Sequence, residues 1–422
     1  MNLYIDPSTG SMLFTILVGL LGTGVYFMRN LWLKLQFMVS GGKNEKGNSD
    51  HIPIAIFSDD KRYWNVFEPI CREFDRRKQT VVFMTASEDD PALKEHFDHV
   101  KCMFIGEGNK AFAKLNSLSA DVFVATTPNL DVYQWKRSKH VAWYAHVLHA
   151  AHDPIGYRMF GLDAYDAVLL SGDYQIEQVR SMEKLRNLPT KELPLVGQPY
   201  MDELLKRMQQ APALPAHPTT VLLAPSWGES GMFNRYGSDI IRELLKTGYH
   251  IIVRPHPQTV KTEKELLKGI MDQFPESEDL EWNFDTDNFE VLRRSDIMIS
   301  DFSGVMFDFT LVFDKPLIYT ENTYNPAPYD SWWYEGELWM FKTMPKLGKN
   351  LTKETLPDLK NMIDQCLHEE KYRRAREQAR AETWVHIGEG TKRTVDYLMD
   401  KYQQLTSQSA QGKNTDSEAV EN

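Results

Sequence analysis

The chain is poor in cysteine. Its three thiols, Cys71, Cys102 and Cys366, stand far apart and are odd in number. That pattern gives neither a disulfide framework nor a metal-knuckle spacing, and its simplest reading is a reducing compartment. Basic excess is also missing: 48 Lys and Arg face 59 Asp and Glu, a net charge of −11. Such a chain cannot neutralise a nucleic-acid backbone, so no nucleic acid is expected as partner. No GxxxxGK[ST] occurs, which argues against a P-loop kinase or ATPase, and no GxGxxG follows a strand, which removes the main argument for a dinucleotide enzyme. No fixed-period repeat is present.

What is present is a globular composition, 42% hydrophobic and 25% charged in 422 residues, enough for two domains with extensions. One apolar run stands apart. Met12–Met28 is uncharged over about 17 residues, the short end of what spans a bilayer. Leu31, Trp32, Leu33, Leu35 and Phe37 prolong it, while Arg29 and Lys34 suit an interface. Basic residues follow the run and Asp6 precedes it, so we expect a membrane anchor with the rest of the chain on the cytoplasmic face. A cleaved signal peptide and a buried core helix are the alternatives.

After the polar, glycine-containing stretch Ser40–Asp50, apolar strand signals alternate with helical spacing. Strands are expected at Ile52–Phe57, Val81–Thr85, Lys101–Ile105, Ala120–Ala125, His140–Tyr144 and Ala167–Leu170, with helices at Arg62–Arg76 and Ala111–Leu118. Alternation of this kind predicts an α/β fold, a parallel sheet covered on both faces. Leu193–Tyr200 and the proline-rich Gln209–Pro218 break the pattern, and Pro212–Pro218 reads as a hinge. The alternation resumes at Thr219–Ala224. The expected division is therefore an anchor and linker over 1–45, domains over 46–215 and 216–400, and, from its polar composition, a disordered tail over 401–422.

The second half contains a βαβ unit over 295–319. Its first strand runs into Ser300-Asp301-Phe302-Ser303-Gly304, where free N–H groups and a helix start suit a phosphate. Ser303 stands at the expected N-cap, and Gly304 would let a ligand approach the backbone. Asp301 would repel a phosphate directly, so its expected task is to orient His256 or to pin the loop's N–H groups. Upstream, the strand at Tyr249–Val253 stops at Arg254-Pro255-His256-Pro257, a rigid elbow that carries a guanidinium and an imidazole to the strand's C-terminal edge. Open parallel sheets bind ligands at that edge. Ala224-Pro225-Ser226-Trp227-Gly228 ends the strand beside it, so Pro225, Ser226 and Trp227 are candidates for a nucleotide-site loop. In the first half His146, His149 and His152 recur at intervals of three; no carboxylate or Cys set accompanies them, and one of them is expected to serve as a general base.

These segments resemble the CDP-glycerol glycerophosphotransferases, the family of teichoic-acid primases and polymerases. The likeness rests on Ala224-Pro225-Ser226-Trp227, on Arg254-Pro255-His256-Pro257, on Ser300 to Phe309 with Lys315-Pro316 after it, and on His149; it covers roughly Ile52 to Tyr397. It implies a GT-B-like fold of two Rossmann-like domains facing a cleft: an N-terminal acceptor domain and a C-terminal CDP-donor domain, on the cytoplasmic face of the membrane. It further implies transfer of glycerol phosphate, or a related polyol phosphate, from a CDP-activated donor to an envelope glycan or lipid-linked acceptor, with CMP leaving. Carried over, His149 and His256 are the catalytic residues, His149 as base, while Arg254, Ser303 and Gly304, with Asp301 in the same turn, serve the donor phosphates. No cofactor and no metal set is implied. The chain departs from the family in having Gly304 for a second serine and Ala150 after His149.

Two other readings fit parts of the sequence. A GT-B glycosyltransferase or nucleotide-sugar epimerase would use UDP or GDP in the same fold. A non-catalytic envelope-assembly protein would keep the fold without turnover.

Overall fold

Nearly every position of the expected strands is apolar, which suits strands covered on both faces. The computed structural model describes residues 51–285, 287–301, 303–320 and 324–418. In it these runs, joined by two short strands that were not expected, Leu280–Trp282 and Gly348–Leu351, form two six-stranded sheets in which all named strand pairs are parallel. The first contains β1 (Ile52–Ser58), β2 (Val81–Thr85), β3 (Val100–Phe104), β4 (Ser119–Ala125), β5 (His140–Val147) and β6 (Ala167–Leu169), in the order β3-β2-β1-β4-β5-β6. The second contains β7 (Thr220–Ala224), β8 (His250–Val253), β9 (Leu280–Trp282), β10 (Ile297–Ser300), β11 (Leu317–Thr320) and β12 (Gly348–Leu351), in the order β12-β11-β10-β7-β8-β9. Counted from its own first strand, each sheet has the same doubly wound order. Each therefore opens a crevice where the winding reverses, between β1 and β4 and between β7 and β10.

Registers align the strand ends that carry the motifs. Ser300 pairs with Ala224 across β10 and β7, and its hydroxyl donates to the Ala224 carbonyl at 2.6 Å. Ala125 pairs with His146 across β4 and β5. β5 runs past the expected Tyr144 to Val147, so His149 lies two residues beyond its end.

The helix after β1 shows why the first core forms. Trp64–Arg76 buries Val66, Phe67, Ile70, Cys71 and Phe74, spaced on one face. These side chains meet Ile54, Ile56, Phe83, Val122 and Val124 from the sheet, together with Val395 and Leu398 from the far end of the chain. The segment after β10 departs from its expected single helix: a short turn at Val305–Phe307 leads into a π-helical turn at Asp308–Val312.

Two expectations about the second half need correction. Residues 390–400 fall within the bounds expected for the C-terminal domain, although the helical stretch Glu369–Leu398 also reads as one that packs back across both domains; the helix Gly390–Glu418 adds Val395 and Leu398 to the first core, with Tyr397, Met399, Tyr402 and Leu405 packed around them. The polar stretch after Gln403, expected as a disordered tail, continues this helix to Glu418. Tyr402 and Leu405 supply the apolar contacts that its composition conceals. The crossing back is fixed by Asp202, whose carboxylate accepts the N–H groups of Gly388 and Gly390, each at 2.7 Å. A Cβ on Gly390 would stand 2.7 Å from that carboxylate and 2.9 Å from the Gln198 nitrogen, so only glycine fits.

Two carboxylates join the halves. Asp153 accepts Trp339 N at 2.7 Å and Met340 N at 3.1 Å, at the start of the helix Trp339–Leu347. Asp330 accepts Phe160 N at 2.8 Å and Gly161 N at 3.2 Å and pairs with Arg186. Both are almost fully buried. The expected anchor Met12–Met28 and the linker Ser40–Asp50 lie outside the described residues. Among the described residues, no helix is long and apolar enough to cross a membrane.

Candidate functional site

A cavity of about 660 Å³ opens at the C-terminal ends of β1 and β7, within the size range of small-ligand sites. The half built on β7–β12 lines it with Pro225, Arg254, His256 and Ser303, along with Asp287 and Asn288. Lys61 and Arg62, on the turn after β1, line it from the other half; Tyr200 and Arg207 reach it from the helix Pro199–Gln210 that precedes the crossing. A second cavity of about 690 Å³ lies among Glu68, Arg72, Asp202 and Lys206, and no motif residue lines it. Chemistry, not size, therefore selects the first.

Arg254 follows β8, and its backbone N–H continues the ladder to the Leu223 carbonyl at 2.8 Å. Its guanidinium donates to the Asn283 side chain and to the Asp285 carbonyl, the latter at 2.7 Å. These two bonds fix the plane of the guanidinium against the cavity. His256 caps the short helix Pro257–Thr262: its Nδ1 accepts Gln258 N at 3.1 Å. An Nδ1 that accepts carries no proton, so in the neutral ring Nε2 holds the hydrogen and is a donor. Burial first, and then Arg62, keeps the His256 pKa below its ordinary value.

Asp301, expected among the donor-phosphate residues, does not line the cavity. It is fully buried and accepts Ser226 N at 2.9 and 3.1 Å and Met232 N at 3.1 Å. The N–H groups it accepts belong to the loop after β7 rather than to its own turn, so the task its geometry performs is to pin that neighbouring loop. Ser226 is thereby turned inward and buried. Trp227 is half-exposed, with its ring 6.4 Å from that of His256.

The helix start also differs from expectation. The residue at the N-cap is Gly304, not Ser303, and its φ of −56° suits any residue. A Cβ there would meet nothing within 4 Å. Glycine is thus not demanded by the backbone at 304, although the open space would admit a ligand. Ser303, one residue earlier, lines the cavity.

His149 stands at the corresponding edge of the first sheet. It is not among the cavity-lining residues; it adjoins them through Tyr63, the residue after Arg62, whose ring lies 4.9 Å away. Its Nδ1 is 3.0 Å from Thr126 Oγ1 and 3.3 Å from the Tyr157 hydroxyl, which in turn meets His146 Nε2 at 3.1 Å. Burial, then His152 and Arg62, push the His149 pKa down to about 3. The ring is neutral at ordinary pH. His146 and His152 are depressed too, chiefly by burial, and His152 Nδ1 lies 2.8 Å from the Ala150 carbonyl. Among the described residues, no three of His, Cys, Asp and Glu are placed to hold a metal ion.

Sequence reasoning missed Arg62, Tyr200, Thr126 and Tyr157. Arg62 and Thr126 did carry a signal, since each closely follows a strand end at the binding edge of its sheet. Tyr200 carried none; it reaches the cavity from a helix start placed by tertiary structure and shares a hydrogen bond with Asp308.

Comparison with known proteins bears on this geometry. No sequence match was found among curated proteins. Among solved structures, the wall teichoic acid polymerase TagF, soaked with CDPG, superposes with a TM-score of 0.56 at 16% identity, over 92% of this chain and 98% of that one. The UDP-GlcNAc 2-epimerase of Neisseria meningitidis, bound to UDP-GlcNAc, gives 0.52 at 13% identity, over 82% of this chain and 99% of that one. A putative UDP-N-acetylglucosamine 2-epimerase of Listeria monocytogenes gives 0.52 at 12%, over 82% and 95%. At such identities these likenesses establish the two-domain fold and not the chemistry. Residues 109–397, which include His149 and both phosphate-site motifs, match the model of the family described as CDP-Glycerol:Poly(glycerophosphate) glycerophosphotransferase. That match covers more than half of the sequence, and the chain belongs to this family.

Proposed function

We propose that the cleft transfers glycerol phosphate from CDP-glycerol to a hydroxyl of a cell-envelope glycan or lipid-linked acceptor and releases CMP. The observation that carries this reading is the meeting, at one cavity, of Arg254, His256 and Ser303 from one half and Arg62 from the other, with neutral His149 adjoining.

In the reading we favour, Arg254, Ser303 and the Gly304 N–H hold the pyrophosphate. The acceptor oxygen attacks the β-phosphorus and forms a new P–O bond. The bond from that phosphorus to the bridging oxygen breaks, and its electron pair leaves on CMP. The acceptor's proton passes to His149. For that, Nδ1–H donates to Thr126 Oγ1 and Nε2 keeps its lone pair for the acceptor. His256 Nε2–H donates to the oxygen on which charge develops, a stabilisation that grows as the bond breaks. Trp227 would flank the nucleotide.

Met12–Met28 is assigned as an anchor that keeps the catalytic halves at the cytoplasmic face, near a lipid-linked substrate. The test is thermal stabilisation by CDP-glycerol, CDP-ribitol, CDP, UDP and GDP side by side. Stabilisation by the CDP ligands alone is expected. Stabilisation by UDP or GDP instead would replace this reading with a glycosyltransferase or epimerase, and stabilisation by none would favour an assembly role without turnover.

A further inference from the structure

Four cationic side chains line the cavity, and three of them are committed elsewhere. Lys61 pairs with Asp89, Arg207 with Asp287, and Arg254 donates to Asn283 and Asp285. Arg62 differs. Its ion pair is the longer one, from Nε to Asp60 Oδ1 at 3.4 Å, and engages the inner nitrogen of the guanidinium, which lies over the Tyr63 ring, 5.3 Å from the centroid; its side chain is 58% exposed. The backbone beneath it is firmly held. Asp60 Oδ1 accepts Arg62 N at 3.0 Å, Tyr63 N donates to the Asp60 carbonyl at 3.0 Å, and Ser58 Oγ donates to the same carbonyl at 2.8 Å. The turn thus presents, at the cavity lining, a half-exposed guanidinium whose base is fixed.

We infer that Arg62 is a donor-phosphate ligand supplied by the opposite half, gripping the non-bridging oxygens of the phosphoryl group that is transferred. The inference rests on the CDP-donor reading and adds to it a residue outside the motifs. Position says which phosphate. Arg254, His256 and Ser303 belong to the half that would hold the nucleotide, whereas Arg62 adjoins Tyr63, whose ring lies against His149. The phosphoryl group between the two sets is the one distal to the nucleoside. The charge of Arg62 reaches both histidines, contributing to the depressed pKa of His149 and of His256. A guanidinium there matches two phosphate oxygens bidentately and neutralises charge that the −11 chain otherwise opposes.

The experiment is isothermal titration of the full-length chain with CDP-glycerol, CDP and CMP, for wild type, Arg62→Ala and Arg62→Gln. CMP lacks the distal phosphate and serves as the internal control. Arg62→Ala is expected to weaken CDP-glycerol and CDP by about tenfold or more while CMP stays within twofold. If Arg62→Ala fails to fold, Arg62→Gln, which keeps the stem, is judged by the same criteria. CDP-glycerol affinity within twofold of wild type, or equal loss for all three ligands, overturns the assignment alone. Wild type that binds none of the three overturns the donor reading and this assignment with it.

Discussion

The Asp301 carboxylate holds the backbone N–H of Ser226 at 2.9 Å across the gap between the ends of β10 and β7. Through this bond the phosphate-site turn and the loop after β7 are one unit. A second N–H, from Met232, completes it. Asp301→Ala leaves two buried donors without an acceptor and is expected to cost about 2–6 kcal/mol, at roughly 1–3 kcal/mol for each unmet group. Asp301→Asn keeps one accepting oxygen and should cost less. Urea unfolding measures both, and equal stability of Asp301→Ala and wild type would show that the bond does not hold the loop.

The two histidines separate by what they spare. His149→Ala is expected to lower kcat by about 10²–10⁴ and leave stabilisation by CDP unchanged. His256→Ala should lower turnover and weaken CDP as well. Because burial holds the His149 pKa at about 3, its protonation cannot produce an acid limb in the rate profile near pH 6. The linkage to stability has a definite sign. The unfolded ring takes up a proton as pH falls through 6.5, whereas the folded ring stays neutral to about 3, so this contribution is present above pH 6.5 and is lost on acidification. A melting temperature that falls from pH 7 to pH 5, less steeply in His149→Asn, is the expected record.

Asp308 titrates with the opposite sign. Full burial raises its carboxyl to about 7 against a hydrogen bond with Tyr200 that lowers it. The folded state therefore holds the proton more tightly than the unfolded chain, and the associated stability is complete below pH 3.8 and lost as pH rises through 7. Asp308→Asn should flatten stability between pH 5 and 8, as read by calorimetry; an unchanged slope would refute a protonated Asp308.

Lys315, part of the motif that resembles the family, has a structural task. Its ammonium donates to the carbonyls of Leu292 at 3.1 Å, Arg293 at 2.5 Å and Ser295 at 2.5 Å, around the end of the helix Phe289–Arg294. Lys315→Met removes these charge-assisted bonds and should cost about 3 kcal/mol or more, at roughly 1–3 kcal/mol for each of the three carbonyls, with CDP affinity within threefold of wild type. A large loss of CDP affinity at unchanged stability would assign the lysine to the site instead.

Ten of the twelve described strands were legible because two-sided burial writes them as continuous apolar runs, as in Val81–Thr85; Leu280–Trp282 and Gly348–Leu351 were not, being short and interrupted by Glu281, Lys349 and Asn350. The helix Tyr174–Arg186 was not, because it buries Gln175, Gln178 and Glu183 and so blurs its apolar period. Gln175, for example, accepts Ser171 N at 2.8 Å and Gly172 N at 3.1 Å. At the site, Arg254, His256 and Ser303 could be read from their places after strands. Asp301 was read in its chemistry but not in its exclusion from the cavity, which depends on where the loop at Ser226 folds. Arg62 looked like an ordinary charge at a helix start, and Tyr200 lay in a stretch read as a break.

The return of Val395 and Leu398 to the core of Ile54 and Val122 ties the order of synthesis to the order of folding. The first sheet and its helix Trp64–Arg76 emerge from the ribosome early, yet the part of that shared core closed by Val395 and Leu398 stays open until nearly the whole polypeptide has been made. Chain termination anywhere before Gly390 thus strands an exposed apolar surface on an otherwise formed sheet, the kind of species that aggregates or engages chaperones.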